Sequence, residues 1–249
     1  MSAAYLFANW KMYLDFDESC ILASRLREEV GETETTVALF PSDIALKEVA
    51  RILEGSSLKV GAQNAIGVPP GAYTGAVSPQ MVKDVGAEFV IIGHSERRHI
   101  FGEDDTSIRK NIDACLEADI TPVICIGETK EEKEGGKREY RLKKQLMKAF
   151  ENLAISRDNQ VMVAYEPVWA IGTGDACLPA DADDIHGWIA QEIRTYTTHA
   201  VPLLYGGSVT ADNMLSYVSL PTVQGVLVGS AGTGYESFMK LVQALKKTS

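Results

Sequence analysis

Seven places along the chain carry groups that could do chemistry together: Asn9 and Lys11, Gln63 and Asn64, His94, Glu128, Glu166, Gly206-Gly207-Ser208, and Gly229-Ser230. If one cleft collects them, it holds a cation, an imidazole and a carboxylate, a set suited to acid–base catalysis. Taken singly, each has a plainer reading. A lysine after a strand is usually a solvated cation, a histidine can simply tie two loops, and a glutamate can pair with an arginine. The final third adds glycines in Ile171-Gly172-Thr173-Gly174, Tyr205-Gly206-Gly207-Ser208 and Val228-Gly229-Ser230-Ala231. Glycines let backbone N–H groups approach an oxyanion, and a short helix N-terminus adds its dipole. Tight turns alone explain the same glycines, and both readings stand at this level. A dinucleotide fingerprint is not supported, because Gly172-Thr-Gly174-Asp-Ala-Cys177 lacks the third glycine and Gly232-Thr-Gly234 has no βαβ unit after it.

The run from Ala164 to Gly174 is the most informative. Glu166 leads it, Pro167 stiffens the next residue, Val168, Trp169, Ala170 and Ile171 form an apolar tip, and glycines close it. That is the build of a lid that moves as a unit with a base at its root. A buried loop anchored by Trp169 is the alternative.

These residues need elements to hold them. Short apolar runs recur at Tyr5–Ala8, Thr36–Phe40, Leu58–Ala62, Phe89–Ile92, Pro122–Ile126, Val161–Tyr165, Val201–Tyr205 and Gln224–Val228. They are continuous rather than alternating, as strands buried on both faces are. Helical stripes lie between them. Ile21, Leu22, Leu26 and Val30 follow Asp17, and Ile108, Ile112, Cys115 and Leu116 follow the acidic start at Asp104. Ile185, Ile189, Ile193 and Tyr196 follow Pro179, and Phe238, Leu241, Val242 and Leu245 end the series. The Glu- and Lys-rich segment Lys130–Arg141 reads as a solvated helix face with i,i+4 pairs. Eight strand–helix repeats with no linker favour one closed parallel barrel, with catalytic residues just after the strand C-termini. From periodicity alone an open eight-stranded sheet also fits.

Composition narrows the class. The 249 residues carry 24 Lys+Arg against 34 Asp+Glu, a net charge of −10, with no basic block, so a nucleic-acid partner is not expected. Hydrophobic residues at 45% and charged residues at 23% are ordinary globular values. Cys20, Cys115, Cys125 and Cys177 are scattered, with no C-x-x-C and no histidine at zinc-ligand spacing, which predicts reduced thiols and no metal. No apolar stretch nears the roughly 18 residues of a membrane span, and the first eleven residues lack a signal-peptide pattern. A cytoplasmic protein is expected.

The chain resembles the triosephosphate isomerases along essentially its whole length. The matching segments are Ala8-Asn9-Trp10-Lys11-Met12, Gly61-Ala62-Gln63-Asn64, Gly71-Ala72-Tyr73-Thr74-Gly75, Ile92-Gly93-His94-Ser95-Glu96-Arg97-Arg98, Cys125-Ile126-Gly127-Glu128, Tyr165 to Gly174, and Tyr205-Gly206-Gly207-Ser208-Val209. The resemblance implies a single (β/α)8 barrel domain over residues 1–249, eight parallel strands within a ring of helices. It implies interconversion of dihydroxyacetone phosphate and D-glyceraldehyde 3-phosphate, in glycolysis and gluconeogenesis, with no metal or organic cofactor. Glu166 would take a proton from the carbon beside the carbonyl, and neutral His94 would shuttle protons between the two oxygens. Lys11 and Asn9 would stabilise the developing oxyanion, Glu96 would hold Lys11, and Cys125 would stand behind the reacting groups. Gly172, Ser208, Gly229 and Ser230 would bind the phosphate. The lid would comprise Pro167, Val168, Trp169, Ala170, Ile171, Thr173 and Gly174, latched by Tyr205 and Ser208. A homodimer would form through the loop Gly67–Ser78, with Thr74 near the partner's Asn9–Lys11 region.

Three departures from the family pattern stand out. Ser230 occupies a usual glycine, and since a serine at positive φ is strained, a helix-like conformation is expected there. Asp175-Ala176-Cys177 replaces the usual Lys-Thr-Ala, and Ala76 replaces a usual Glu next to an unusual Pro69-Pro70. Rival functions are an isomerase of longer sugar phosphates, a Schiff-base aldolase needing a desolvated lysine, and a catalytically dead binding protein.

Overall fold

The computed structural model describes residues 5–171 and 176–246. The eight apolar runs form β1 (Tyr5–Asn9), β2 (Thr36–Phe40), β3 (Lys59–Ala62), β4 (Phe89–Ile92), β5 (Thr121–Ile126), β6 (Met162–Tyr165), β7 (Leu203–Tyr205) and β8 (Gly225–Val228). Neighbours in sequence pair in parallel, and β1 also pairs with β8, from Tyr5 opposite Gly225 to Ala8 opposite Val228. That last ladder closes the sheet into a barrel and removes the open-sheet alternative. β2 and β4 coincide with the predicted runs. β7 is shorter than predicted because Pro202 has no N–H to give to a ladder, although its carbonyl accepts from Val163 N at 3.0 Å.

The connections carry α1 (Phe16–Val30), α2 (Asp43–Leu53), α3 (Pro79–Asp84), α4 (Ser95–His99), α5 (Asp105–Glu117), α6 (Lys130–Glu134), α7 (Arg138–Phe150), α8 (Pro179–Ile193), α9 (Met214–Val218) and α10 (Tyr235–Lys246). Their starts follow local chemistry. Asp15 and Glu18 make a capping box at α1, Asp104 caps α5 through Ser107, and Pro179 opens α8, where a missing N–H costs nothing. Leu22, Ala23, Leu26 and Val30 bury the face of α1, whereas Ile21 lies 61% exposed, contrary to the predicted stripe. Ile21 stands one 100° step from Leu22, outside the arc that faces the sheet. Lys130–Arg141 is not one helix either. Gly136, with φ of +66°, separates α6 from α7, and Lys133 and Arg138 turn inward to Asp181.

Two apolar layers hold the barrel. The outer one lies between strands and helices; the inner one fills the barrel with Phe7, Phe40, Phe89, Ile91, Cys125, Met162 and smaller side chains. Phe7 packs against Phe40 and Phe89 with ring centroids 5.4 and 4.8 Å away. Gly61 makes room for this cluster, since a Cβ there would sit 2.3 Å from the Phe40 ring. Strand side chains alternate between layers, so the inward rows of Phe7, Ala164, Leu204 and Leu227 continue two residues later at Asn9, Glu166, Gly206 and Gly229. The alternation thus delivers one amide, one carboxylate and two empty glycine positions to the mouth of the barrel. Gly61→Ala is expected to destabilise the fold by about 1–3 kcal/mol through overpacking against Phe40, measured as a lower urea midpoint at unchanged m-value.

Candidate active site

Asn9 ends β1 and is buried, and its Oδ1 accepts the Lys11 backbone N–H at 3.0 Å. Lys11 then takes φ of +51°, an uncommon conformation for a residue with a side chain. Gln63 Nε2 ties this turn down by donating to the carbonyls of Lys11, at 2.7 Å, and Phe40, at 3.0 Å. The Lys11 ammonium meets Glu96 Oε1 at 2.7 Å.

Beyond β4, Gly93 turns the chain with φ of +72°, and His94 caps α4. Its Nδ1 accepts the Glu96 backbone N–H at 3.2 Å, so a neutral ring carries its proton on Nε2. That nitrogen lies 3.1 Å from Glu166 Oε1, while Glu166 Oε2 accepts the Ser95 N–H at 2.9 Å. Arg98 braces the turn, donating to the carbonyls of Gly93 and Cys125 and pairing with Asp105. Cys125 is fully buried below. Burial first, then the Glu166 carboxylate, pushes its thiol well above the usual range, so it is a neutral neighbour of that carboxylate.

Asn9, Lys11, His94 and Glu166 line one cavity of about 260 Å³ with Ile171, Ser208, Gly229 and Ser230. Gly229 faces Lys11, since a Cβ there would lie in ordinary contact with its Cε, at 3.5 Å. Ser230 opens a short 3-10 helix, Ser230–Gly232, and is not among the positive-φ residues, so the serine is unstrained as expected. Ser208 Oγ donates to Ala170 O at 2.8 Å, which ties the loop after β7 to the segment after β6.

Pro167 leads into a 3-10 turn, Val168–Ala170, at the root of the predicted lid. Glu128, fully buried, organises this root. It accepts from Tyr165 Oη at 3.0 Å and Trp169 Nε1 at 2.9 Å, and its carbonyl accepts the Val168 N–H at 3.1 Å. Burial raises the Glu128 carboxyl above its usual range, opposed by those two donors and by Arg138 at 4.0 Å. Lys133 Nζ sits 3.7 Å from the Trp169 ring centre and 2.9 Å from Asp181. Gly172, Thr173 and Gly174 lie outside the described residues, so the lid is described from Pro167 to Ile171 only.

Sequence reading named Glu128, Gln63 and Asn64 as strand-end candidates, but the fold keeps all three out of the main cavity. Glu128 lies beneath the lid root, and Gln63 and Asn64 line a second cavity with Ser42, Arg97 and Phe101. It missed Arg98, Lys133 and Arg138, whose partners are distant in sequence.

The sequence profile of the triosephosphate isomerase family matches residues 4–245. The chain belongs to the triosephosphate isomerase family. It is similar to the "Triosephosphate isomerase" of Roseiflexus sp. (strain RS-1), 39% identical over 250 residues that cover 98% of each chain. That of Herpetosiphon aurantiacus is 38% identical over 248 residues, covering 98% of this chain and 99% of the relative. That of Endomicrobium trichonymphae is 37% identical, covering 99% and 100%. Family membership covers the whole barrel and both segments that carry His94 and Glu166. A Cβ on Gly206 would fall 2.9 Å from Glu166 Cγ. In this member of the triosephosphate isomerase family, Gly206→Ala is therefore expected to displace the carboxylate and lower kcat by about 10²-fold. Steady-state kinetics beside a thermal melt will separate displacement from unfolding.

Proposed function

We propose that this cavity carries out the family's reaction, the interconversion of dihydroxyacetone phosphate and D-glyceraldehyde 3-phosphate, in glycolysis and gluconeogenesis. Glu166 removes a proton from the carbon next to the carbonyl, leaving an enediol(ate). His94 donates its Nε2–H to the oxygen that gains charge and carries protons between the two oxygens. Lys11 and Asn9 stabilise the oxyanion, and the Glu96 carboxylate holds the Lys11 ammonium in place. The observation that carries this reading is the meeting of Glu166 Oε1 with His94 Nε2 at 3.1 Å on the wall that also holds Lys11. A carboxylate, an imidazole and an ammonium suffice for proton transfer, so the chemistry calls for no metal or organic cofactor. Lys11 is a paired cation, which suits an oxyanion and not the neutral amine that imine formation needs.

The phosphate is held by the backbone N–H groups at Gly172, Ser208, Gly229 and Ser230. The lid, Pro167 to Gly174, closes over it with Tyr205 and Ser208 as latch, excluding water from an intermediate that would otherwise lose its phosphate. Cys125 stands beneath Glu166 as an uncharged floor. Four thiols that are all free support a reducing, cytoplasmic setting, and no helix among the described residues is long and apolar enough to cross a membrane.

The working form is a homodimer through the loop Gly67–Ser78. Pro69 to Gly75 are exposed, and Met12 at 95%, Ile44 at 77% and Phe101 at 65% exposure offer an apolar face. The second cavity, about 280 Å³, is lined by Met12, Ser42, Asn64 and Phe101. Ser42 Oγ and Asn64 Oδ1 are buried there without a partner among the described residues, as if awaiting a polar group such as the partner's Thr74. Arg97 finds Glu103 at 2.7 Å within its own chain, so Ala76 leaves no cation unpaired.

Two outcomes are expected. Glu166→Asp retracts the carboxylate by one methylene and should cut kcat by about 10²-fold or more with KM little changed; a wild-type kcat would end its role as base. Light scattering should give twice the 27.1 kDa chain mass for the wild type and a smaller mass for Thr74→Arg. An active wild-type monomer at micromolar concentration would overturn the dimer.

A further inference from the structure

Among the described residues that line the main cavity, Lys11 is the one cationic side chain, and Glu96 already holds it. A bound phosphate dianion must therefore be met largely by neutral donors. Several candidates are committed elsewhere: Ser208 Oγ gives its hydrogen to Ala170 O, and Asn213 Nδ2 donates to Ser208 O. Tyr13 is different. It is the only phenol among the described lining residues; 60% exposed, it stands at the cavity's edge with its hydroxyl open to solvent or a ligand.

Its place in the barrel sets its direction of use. Tyr13 belongs to the loop after β1, and β1 is paired with β8, so this loop neighbours Gly229 and Ser230 after β8. That is the end of the cavity to which the phosphate reading assigns the anion. The loop is also firm, because the Tyr13 N–H donates to Trp10 O at 3.1 Å and Gln63 pins the Lys11 carbonyl. A phenol on such a turn reaches far on only two rotatable bonds, so little freedom is lost on binding.

We infer that Tyr13 donates its phenolic O–H to the substrate's phosphate from the β1 side of the cavity, and so helps to set the preference for a phosphorylated triose. The inference rests on the triose phosphate reading above. A neutral donor to a charged acceptor makes a charge-assisted bond, and it grips the phosphate equally in the ground and transition states.

The test is Tyr13→Phe, which keeps the ring and removes only the hydroxyl. The KM for D-glyceraldehyde 3-phosphate and the inhibition constant of inorganic phosphate should both rise about tenfold, with kcat unchanged. The kcat/KM for D-glyceraldehyde, which lacks the phosphate, should stay as in the wild type. Unmoved phosphate inhibition, or an equal loss on both substrates, overturns the inference. If instead the wild type fails to isomerise triose phosphates, the underlying reading falls, and calorimetry with inorganic phosphate still reports on Tyr13 separately. A melting temperature and mass equal to the wild type keep folding and assembly out of the comparison.

Discussion

The ladder between β1 and β8 is the constraint on which everything else depends. Without it the chain would be a twisted sheet with two edges, and Lys11 would have no reason to lie beside Gly229. With it, eight inward rows converge, and the two-residue period of each strand decides what they present at the mouth. On four of those rows the last inward position is Asn9, Glu166, Gly206 or Gly229. The cavity is thus made as much by missing side chains as by present ones. Below it, Phe7, Phe40 and Phe89 pack the barrel so that the floor does not give way.

Charge is handled in the same economical manner. The Lys11 ammonium is paired with Glu96, and the Glu166 carboxylate rests on the Ser95 N–H and the His94 ring. None of these groups is left alone in a low-dielectric pocket, where an unpaired charge would be costly. Each of these pairings is a hydrogen bond whose geometry the backbone helps to set. His94 illustrates the point: the backbone fixes its Nδ1 as an acceptor and thereby its Nε2 as the donor that faces the cavity.

The segment after β6 follows a different logic. Glu128 is buried and half-satisfied by Tyr165 and Trp169, with Arg138 too far to neutralise it fully. Lys133 Nζ lies over the Trp169 ring while it binds Asp181 at the start of α8. Polar groups from the loop after β5 and from α6 therefore share the tryptophan. Such a cluster holds Trp169 by directional contacts in addition to its apolar packing against the core.

Local chemistry settled the elements before any fold was known. The apolar runs Thr36–Phe40 and Phe89–Ile92 are the strands themselves, and Pro179 and Asp104 mark real helix starts, because strand burial, proline geometry and capping act within a few residues. The positions of Asn9, Lys11, His94 and Glu166 at the C-terminal ends of β1, β4 and β6 were equally legible, since a closed barrel sends all strand ends to one face. Barrel closure itself was not, because an open sheet has the same periodicity and only the β1–β8 ladder distinguishes them. Nor could the sequence tell that Ile21 faces water, that Glu128 accepts from Tyr165 and Trp169, or that Arg97 is satisfied by Glu103 in its own chain. Those outcomes depend on which side chains meet across strands and helices far apart in sequence, and only tertiary packing brings them together.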